Sequence, residues 1–248
     1  MGAAFAALHN SCMTRYKLKS NLPTVLLTGF DAFAGDTINP SWLVAQALDG
    51  ETIQGHLVVA AQLPTQFAAS RKLLAALLRK HQPALVLCLG LAGGRAGLWL
   101  ERIAINVQDA RIADNAGAQP IDKPIVPRGP AAYFSTLPIK AMQRAIENQG
   151  VPVEISQTAG TFVCNSIFYA LLHQLNFAAH KSPKSSLVKQ RGSQSSQVPC
   201  GGFIHVPYLP NQGTPHMELH DMVLGVRTAC ACALATGKDI SQSSDTHS

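Results

Sequence analysis

Residues 84–89 read Ala-Leu-Val-Leu-Cys-Leu, an unbroken apolar run stopped by Pro83 on one side and Gly90 on the other. A strand with one wet face alternates apolar and polar side chains, whereas a strand covered on both faces reads as a continuous apolar run. A stretch this short therefore predicts a fully buried central strand, and a fold that can cover both sides of a sheet. Its neighbours supply the cover. Val25 to Leu27 and Leu57 to Leu63 read as further strands. Between them, Asn39-Pro40-Ser41 opens a helix with Trp42, Ala45 and Leu48 facing inward. Phe67 to His81 is helical, with Leu73, Leu74, Leu77 and Leu78 on one face. Strand, helix, strand, helix, strand is the alternation of an α/β layered fold.

The second half continues the pattern. Leu137 to Gln149 reads as an amphipathic helix ended by Gly150, and Val151 to Ser156 as a strand. Ile167, Phe168, Leu171, Leu172 and Leu175 then recur at helical spacing. Cys164 thus falls where a strand turns into a helix N-terminus. Unpaired amides there favour negative charge, so the expectation is a thiol that ionises easily and acts as a nucleophile. The competing reading is a small buried hydrophobe. Gly201 to Tyr208 is a short strand with His205 among apolar neighbours, either a structural histidine or, given a thiol elsewhere, a base. Residues 216–236 form the last predicted helix. His216 and His220 could share its face, but no third ligand and no HExxH pattern accompany them, so no metal site is expected. Gly90-Leu91-Ala92-Gly93-Gly94-Arg95 lacks both the P-loop ending and the GxGxxG spacing; it reads as a turn needing positive φ or close approach. Residues 106–122, dense in Asn, Asp and Gly, read as a loop rimming a site or simply solvated.

The net charge of +6 at first suggests nucleic acid. Its placement argues against that. Arg15, Lys17 and Lys19 stand without an acid in residues 1–20, and Lys181, Lys184, Lys189 and Arg191 without one in 176–200. These seven cations exceed the net charge, so the remaining body carries −1. A solvated basic loop is the simpler reading. No apolar run approaches a membrane span, and the apolar start, Met1 to Leu8, precedes its cations, the wrong order for a secretory signal. Six cysteines without a CxxC pair or regular framework fit a reduced, cytoplasmic protein. The expected organisation is an N-terminal extension over 1–22, one domain over 23–237 with a flexible basic insertion at about 178–198, and a polar tail over 238–248.

Four separated stretches resemble one family. They are Leu27-Thr28-Gly29-Phe30-Asp31-Ala32-Phe33 through Asn39-Pro40-Ser41-Trp42; Glu101-Arg102-Ile103-Ala104-Ile105-Asn106 through Asp109-Ala110-Arg111-Ile112-Ala113-Asp114-Asn115 and Gln119-Pro120-Ile121-Asp122; Thr158 to Asn165; and Gly201 to Pro210. Their order and content are similar to pyroglutamyl peptidase I, also called pyrrolidone-carboxylate peptidase. The resemblance implies a single-domain three-layer α/β/α sandwich around a mostly parallel, mixed, twisted sheet. It implies removal of an N-terminal pyroglutamyl residue from peptides, with Cys164 as nucleophile, His205 as its partner and Glu101 as the acid beside the imidazole. It places Phe30, Phe33, Phe162, Val163, Arg111 and Ile112 around the substrate. It implies no metal or organic cofactor, a peptide as partner, neither nucleic acid nor membrane, and a homo-oligomer, tetramer or dimer. Three features depart from the pattern: Leu91 where many members carry Gln, Ala32 and Ala34 where Pro and Gly are common, and the long basic insertion. A non-catalytic binder of small ligands and a nucleoside phosphorylase-like transferase are the other readings. The second rests on layer architecture alone and needs a phosphate site that the sequence does not offer.

Overall fold

The apolar run lies in β4 (Leu85–Leu91), near the middle of a seven-stranded sheet. The computed structural model describes residues 22–181 and 199–241. The expected N-terminal extension up to residue 21, the insertion over 182–198 and the tail from 242 lie outside these. Along the chain come β1 (Thr24–Phe30), α1 (Pro40–Ala47), β2 (Thr52–Ile53), β3 (His56–Leu63), α2 (Phe67–His81) and β4. Then follow β5 (Leu98–Glu101), β6 (Ile103–Ile105), β7 (Ala132–Phe134), α3 (Ile139–Glu147), β8 (Val153–Ser156), α4 (Val163–Lys181), β9 (Cys200–Val206) and α5 (Leu219–Ala235). The sheet order is β2-β3-β1-β4-β9-β5-β8, while β6 and β7 form a separate hairpin. Strands β3, β1, β4 and β9 run parallel. β5 is antiparallel to β9 and parallel to β8.

Period-two alternation sends side chains of the central strands to two cores. Val25, Leu27, Leu85, Leu87, Leu89, Ile204 and Val206 face α1, α3 and α5. Leu26, Phe30, Val86, Cys88 and Phe203 face α2 and α4. The result is the three-layer α/β sandwich with a mixed sheet. His205, next to Phe203 in period, belongs to the second face, the one that α4 covers.

Local chemistry sets the helix ends. Pro40 occupies the first turn of α1, and the Asn39 side chain accepts the Ser41 amide at 3.1 Å. α2 ends with Arg79, Lys80 and His81 in its last turn and a left-handed Gln82 before Pro83. Neither α2 nor α3 has a capping bond from its own N-cap side chain. Asp114 accepts the Phe67 amide of α2 at 2.8 Å, and Asp239 accepts the Lys140 and Ala141 amides of α3 at 3.2 and 3.0 Å. Asp239, read from composition as part of a loose tail, is therefore fastened to the domain. α4 likewise runs to Lys181, so the first residues assigned to the insertion are helical. His216 precedes α5 and its ring meets the Gly213 carbonyl oxygen, so the two histidines do not share a helix face. Among the described residues no helix is long and apolar enough to cross a membrane, and no group of three His, Cys, Asp or Glu side chains could hold a metal ion.

Candidate active site

The approach to Cys164 is a hydrogen-bonded turn. Ser156 Oγ donates to the Thr158 carbonyl at 2.9 Å and accepts the Thr158 amide at 3.2 Å, and Thr158 Oγ1 accepts the Gly160 amide at 3.1 Å. Gly160 sits at φ 75°, a left-handed conformation that glycine adopts without Cβ strain. Thr161 is tied to Asp109 in both directions, its hydroxyl donating at 2.7 Å and its carbonyl accepting at 3.1 Å. The chain then enters α4, with Cys164 its second residue. The next side chain, Asn165, is wholly buried; it accepts from the Ile105 amide and donates to the Ile105 and Val107 carbonyls. This fixes the start of α4 against β6.

Gly90 passes directly beneath the sulfur. A Cβ at that position would stand 2.8 Å from Cys164 Sγ and 2.7 Å from Phe203 Cζ. Gly90 is in register with His205 on the adjacent strand, and the Phe203 ring lies 4.8 Å from the His205 ring. The register thus brings Cys164 and His205, 41 positions apart by number, over neighbouring backbone. His205, 5% exposed, turns Nδ1 to Glu101 Oε1 at 2.7 Å, and Glu101 at the end of β5 is fully buried. A carboxylate only accepts, so Nδ1 carries the proton and Nε2 is the nitrogen left for other work. Arg95 Nη1 reaches the same Oε1 at 3.2 Å, while Glu101 Oε2 has no hydrogen-bond partner among the described residues. The Arg95 guanidinium stacks 4.1 Å above the Trp99 ring, and Trp99 is the register partner of His205 across the β5–β9 ladder.

The electrostatics of the thiol differ from the expectation drawn from its helix position. Burial pushes the Cys164 thiol up to about 12, and the Glu101 charge adds in the same direction. The helix backbone and Arg95 act oppositely but are outweighed. The helix terminus is one contribution among several; a low-dielectric surrounding and a like-charged carboxylate oppose it.

A cavity of about 330 Å³ opens beside Cys164. All six side chains expected around a substrate, Phe30, Phe33, Phe162, Val163, Arg111 and Ile112, line it together with Cys164. Phe162 is packed by Phe33 and Phe67, each at a ring separation of 5.2 Å. Leu91, Asn39, Thr65 and Tyr208 complete much of the wall. The rim is braced: Asn115 donates to the Ala32 carbonyl at 2.9 Å, and Asp31 accepts the Thr65 amide at 2.6 Å. A larger cavity, about 450 Å³, lies at the opposite edge of the sheet beside Ala84, Cys200 and Asp239. It contains neither Cys164 nor the imidazole–carboxylate pair, so size does not identify the reaction centre. Sequence reasoning missed Gly90, Arg95, Trp99 and Tyr208 as neighbours of the site. Arg95 and Gly90 lie in a segment whose glycines signalled a turn and nothing more.

A thiol at a helix N-terminus near a buried imidazole–carboxylate pair, at the C-terminal edge of a mostly parallel sheet, is the layout of a cysteine-type hydrolase. The family model described as pyroglutamyl peptidase matches residues 23–236. A pyrrolidone-carboxylate peptidase of Cupriavidus taiwanensis is 53% identical over 224 residues, covering 88% of this chain and 96% of its own length. One from Bacillus cereus is 44% identical over the same coverage. Among solved structures, pyroglutamyl peptidase I from Bacillus amyloliquefaciens superposes with a TM-score of 0.80 at 38% identity, over 90% of this chain and all of its own. The pyrrolidone carboxyl peptidase of Thermococcus litoralis gives 0.80 at 32% identity with the same coverage. The chain belongs to the pyroglutamyl peptidase family and is a cysteine-type hydrolase.

Proposed function

We propose that this enzyme removes an N-terminal pyroglutamyl residue from peptides through a Cys164 acyl-enzyme. The observation that carries the reading is the Glu101–His205 bond beside the strand that underlies Cys164, whose own side chain lines an aromatic cavity. The pyroglutamyl ring is a lactam with no free amine and no charge. Walls built from Phe30, Phe33, Phe162, Val163 and Ile112 suit such a ring, with a few polar groups to orient it.

The chemistry starts from the neutral thiol, the form that burial favours at Cys164. His205 Nε2 accepts the Cys164 proton as sulfur bonds to the carbonyl carbon joining pyroglutamate to the next residue. Glu101, holding Nδ1, favours the imidazolium as it forms. Backbone amides at the start of α4, with Arg111, stabilise the oxyanion. The C–N bond breaks and the imidazolium gives its proton to the departing amine. Water, deprotonated by the same imidazole, then cleaves the thioester. Free pyroglutamate leaves and the thiol is restored.

Release of the fluorophore from a pyroglutamyl-coumarin amide by purified protein tests this reading. Turnover by wild type and near-complete loss in Cys164→Ser is the expected result. A folded protein that binds pyroglutamyl peptides without cleaving them would instead mark a non-catalytic binder.

A further inference from the structure

We propose that Arg95 is a positioning residue for the reaction: it grips Glu101 by the oxygen that also holds His205, and so offsets the pull of that carboxylate on the imidazole that takes the Cys164 proton. This rests on the reading of His205 as the base. Two donors converge on one atom, Arg95 Nη1 at 3.2 Å and His205 Nδ1 at 2.7 Å from Glu101 Oε1. They therefore lie no more than about 6 Å apart, within the range where charges bias one another's protonation.

An exposed ion pair would carry little weight. This one is different on three counts. Glu101 is fully buried, and the Arg95 side chain is only 25% exposed. The guanidinium is also seated on the Trp99 ring, whose residue pairs in register with His205. Stacking and hydrogen bond together define one position for the positive charge. Among the described residues, the charged and titratable groups around the imidazole are Glu101 from β5, Arg95 from the β4–β5 turn and Cys164 from α4. Cys88 of β4 is close enough to Cys164 to act on its thiol, and Asp36, Arg111 and Tyr208 border the adjoining cavity.

A carboxylate at hydrogen-bond distance favours the imidazolium form of its partner. Arg95 offsets that bias while leaving the carboxylate in place to orient Nδ1. It also lies close enough to Cys164 to favour the thiolate. Glu101 and Arg95 thus act on His205 with opposite signs, which gives the test its discriminating power.

The titration midpoint of the His205 ring is followed by NMR in wild type, Arg95→Gln, Arg95→Lys and Glu101→Gln, with His205→Gln assigning the resonance. Arg95→Gln should raise the midpoint by about one pH unit, Glu101→Gln should lower it, and Arg95→Lys should stay near wild type. The acid limb of kcat/KM should move with it, up in Arg95→Gln and down in Glu101→Gln. A merely structural arginine would lower activity without moving the limb. Should Arg95→Gln not fold, Trp99→Leu, which frees the guanidinium, should give a smaller upward shift. An unchanged or lowered midpoint in a folded Arg95→Gln, or in Trp99→Leu where that is the variant measured, overturns the proposal. The ring titration needs no turnover, so it decides the role of Arg95 even if pyroglutamyl substrates are not cleaved. Intact turnover with an unmoved midpoint rejects Arg95 alone.

Discussion

Gly90 of β4 and Cys164 of α4 face one another so closely that the sulfur occupies the space a Cβ at position 90 would need. That Cβ would lie 2.8 Å from Sγ, closer than real contacts allow. Gly90→Ala should therefore displace the Cys164 sulfur, the proposed nucleophile, while the sheet keeps its pairing. A displacement of about 1 Å costs on the order of a hundredfold in rate. Kinetics beside thermal unfolding should show a large loss in kcat with a much smaller change in Tm. Near wild-type kcat would mean that the sulfur has room to move.

Burial favours the neutral form of the Cys164 thiol, pushing it up to about 12. Its thiolate fraction grows about tenfold per pH unit below that value. Inactivation by iodoacetamide should accordingly climb from pH 6 to 9 without an acidic plateau, with labelling at Cys164. The difference in absorbance at 240 nm between wild type and Cys164→Ser should be small at pH 7. A pH-independent plateau between pH 5 and 8 would reveal a resting thiolate–imidazolium pair instead.

Cys88 and Cys230 are also buried and raised to about 12. The unfolded chain releases those protons near the ordinary thiol value of about 8.5. Their contribution to stability is thus complete below that pH and is lost as pH rises toward 12. Tm should fall between pH 8 and 10.5, and it should fall less steeply in Cys230→Ala, whatever that variant's absolute Tm.

Glu101→Gln keeps the shape of the side chain and removes its charge. A lactam substrate has no ammonium for a carboxylate to bind, so the loss should appear in kcat, by about a hundredfold, with KM little altered. A steep rise in KM at constant kcat would make Glu101 a substrate-binding group.

Ala34 stands at φ 55° in the loop lining the cavity. An L-residue with a Cβ is strained there by about 1 kcal/mol. Ala34→Gly removes that strain and adds unfolded-state entropy of similar size, so Tm should hold or rise slightly. Ala34→Val should lower it. A clear drop in Ala34→Gly would show that the Cβ packs usefully.

Asp114 caps α2 through one carboxylate oxygen and holds the Ala116 and Ala118 amides through the other. Asp114→Ala should cost about 1 kcal/mol for the lost cap. It should also raise KM, because Arg111 and Ile112 lie on the same segment. Calorimetry and steady-state kinetics on one sample separate the two effects.

Much of this architecture was legible in order along the chain. Periodicity and Pro83 delimited α2 from Phe67 to His81, and composition marked β4 as a covered strand. The six cavity residues came from the family resemblance and fall on one cavity. What local sequence does not encode is what arrives from elsewhere. The caps of α2 and α3 come from 47 and about 99 positions away. The glycine-rich turn gave no sign that Arg95 would reach Glu101, because composition does not show the turn bringing the guanidinium back over the Trp99 ring of β5. The raised thiol has a related cause: a helix terminus can be read from neighbours in sequence, whereas enclosure and a nearby carboxylate are properties of the assembled site.

β9 lies between β4 and β5, yet it is synthesised after both, at residues 200–206. Until it has emerged from the ribosome, β4 and β5 present open ladders to one another with no strand to join them. The first 160 residues therefore hold two unfinished sheet edges, the kind of surface that recruits other chains. Insertion of β9 closes both at once and delivers His205 in the same event. On the proposed mechanism no nascent chain can turn over substrate before the sheet is sealed, and during synthesis chaperone demand should peak in the interval between β8 and β9.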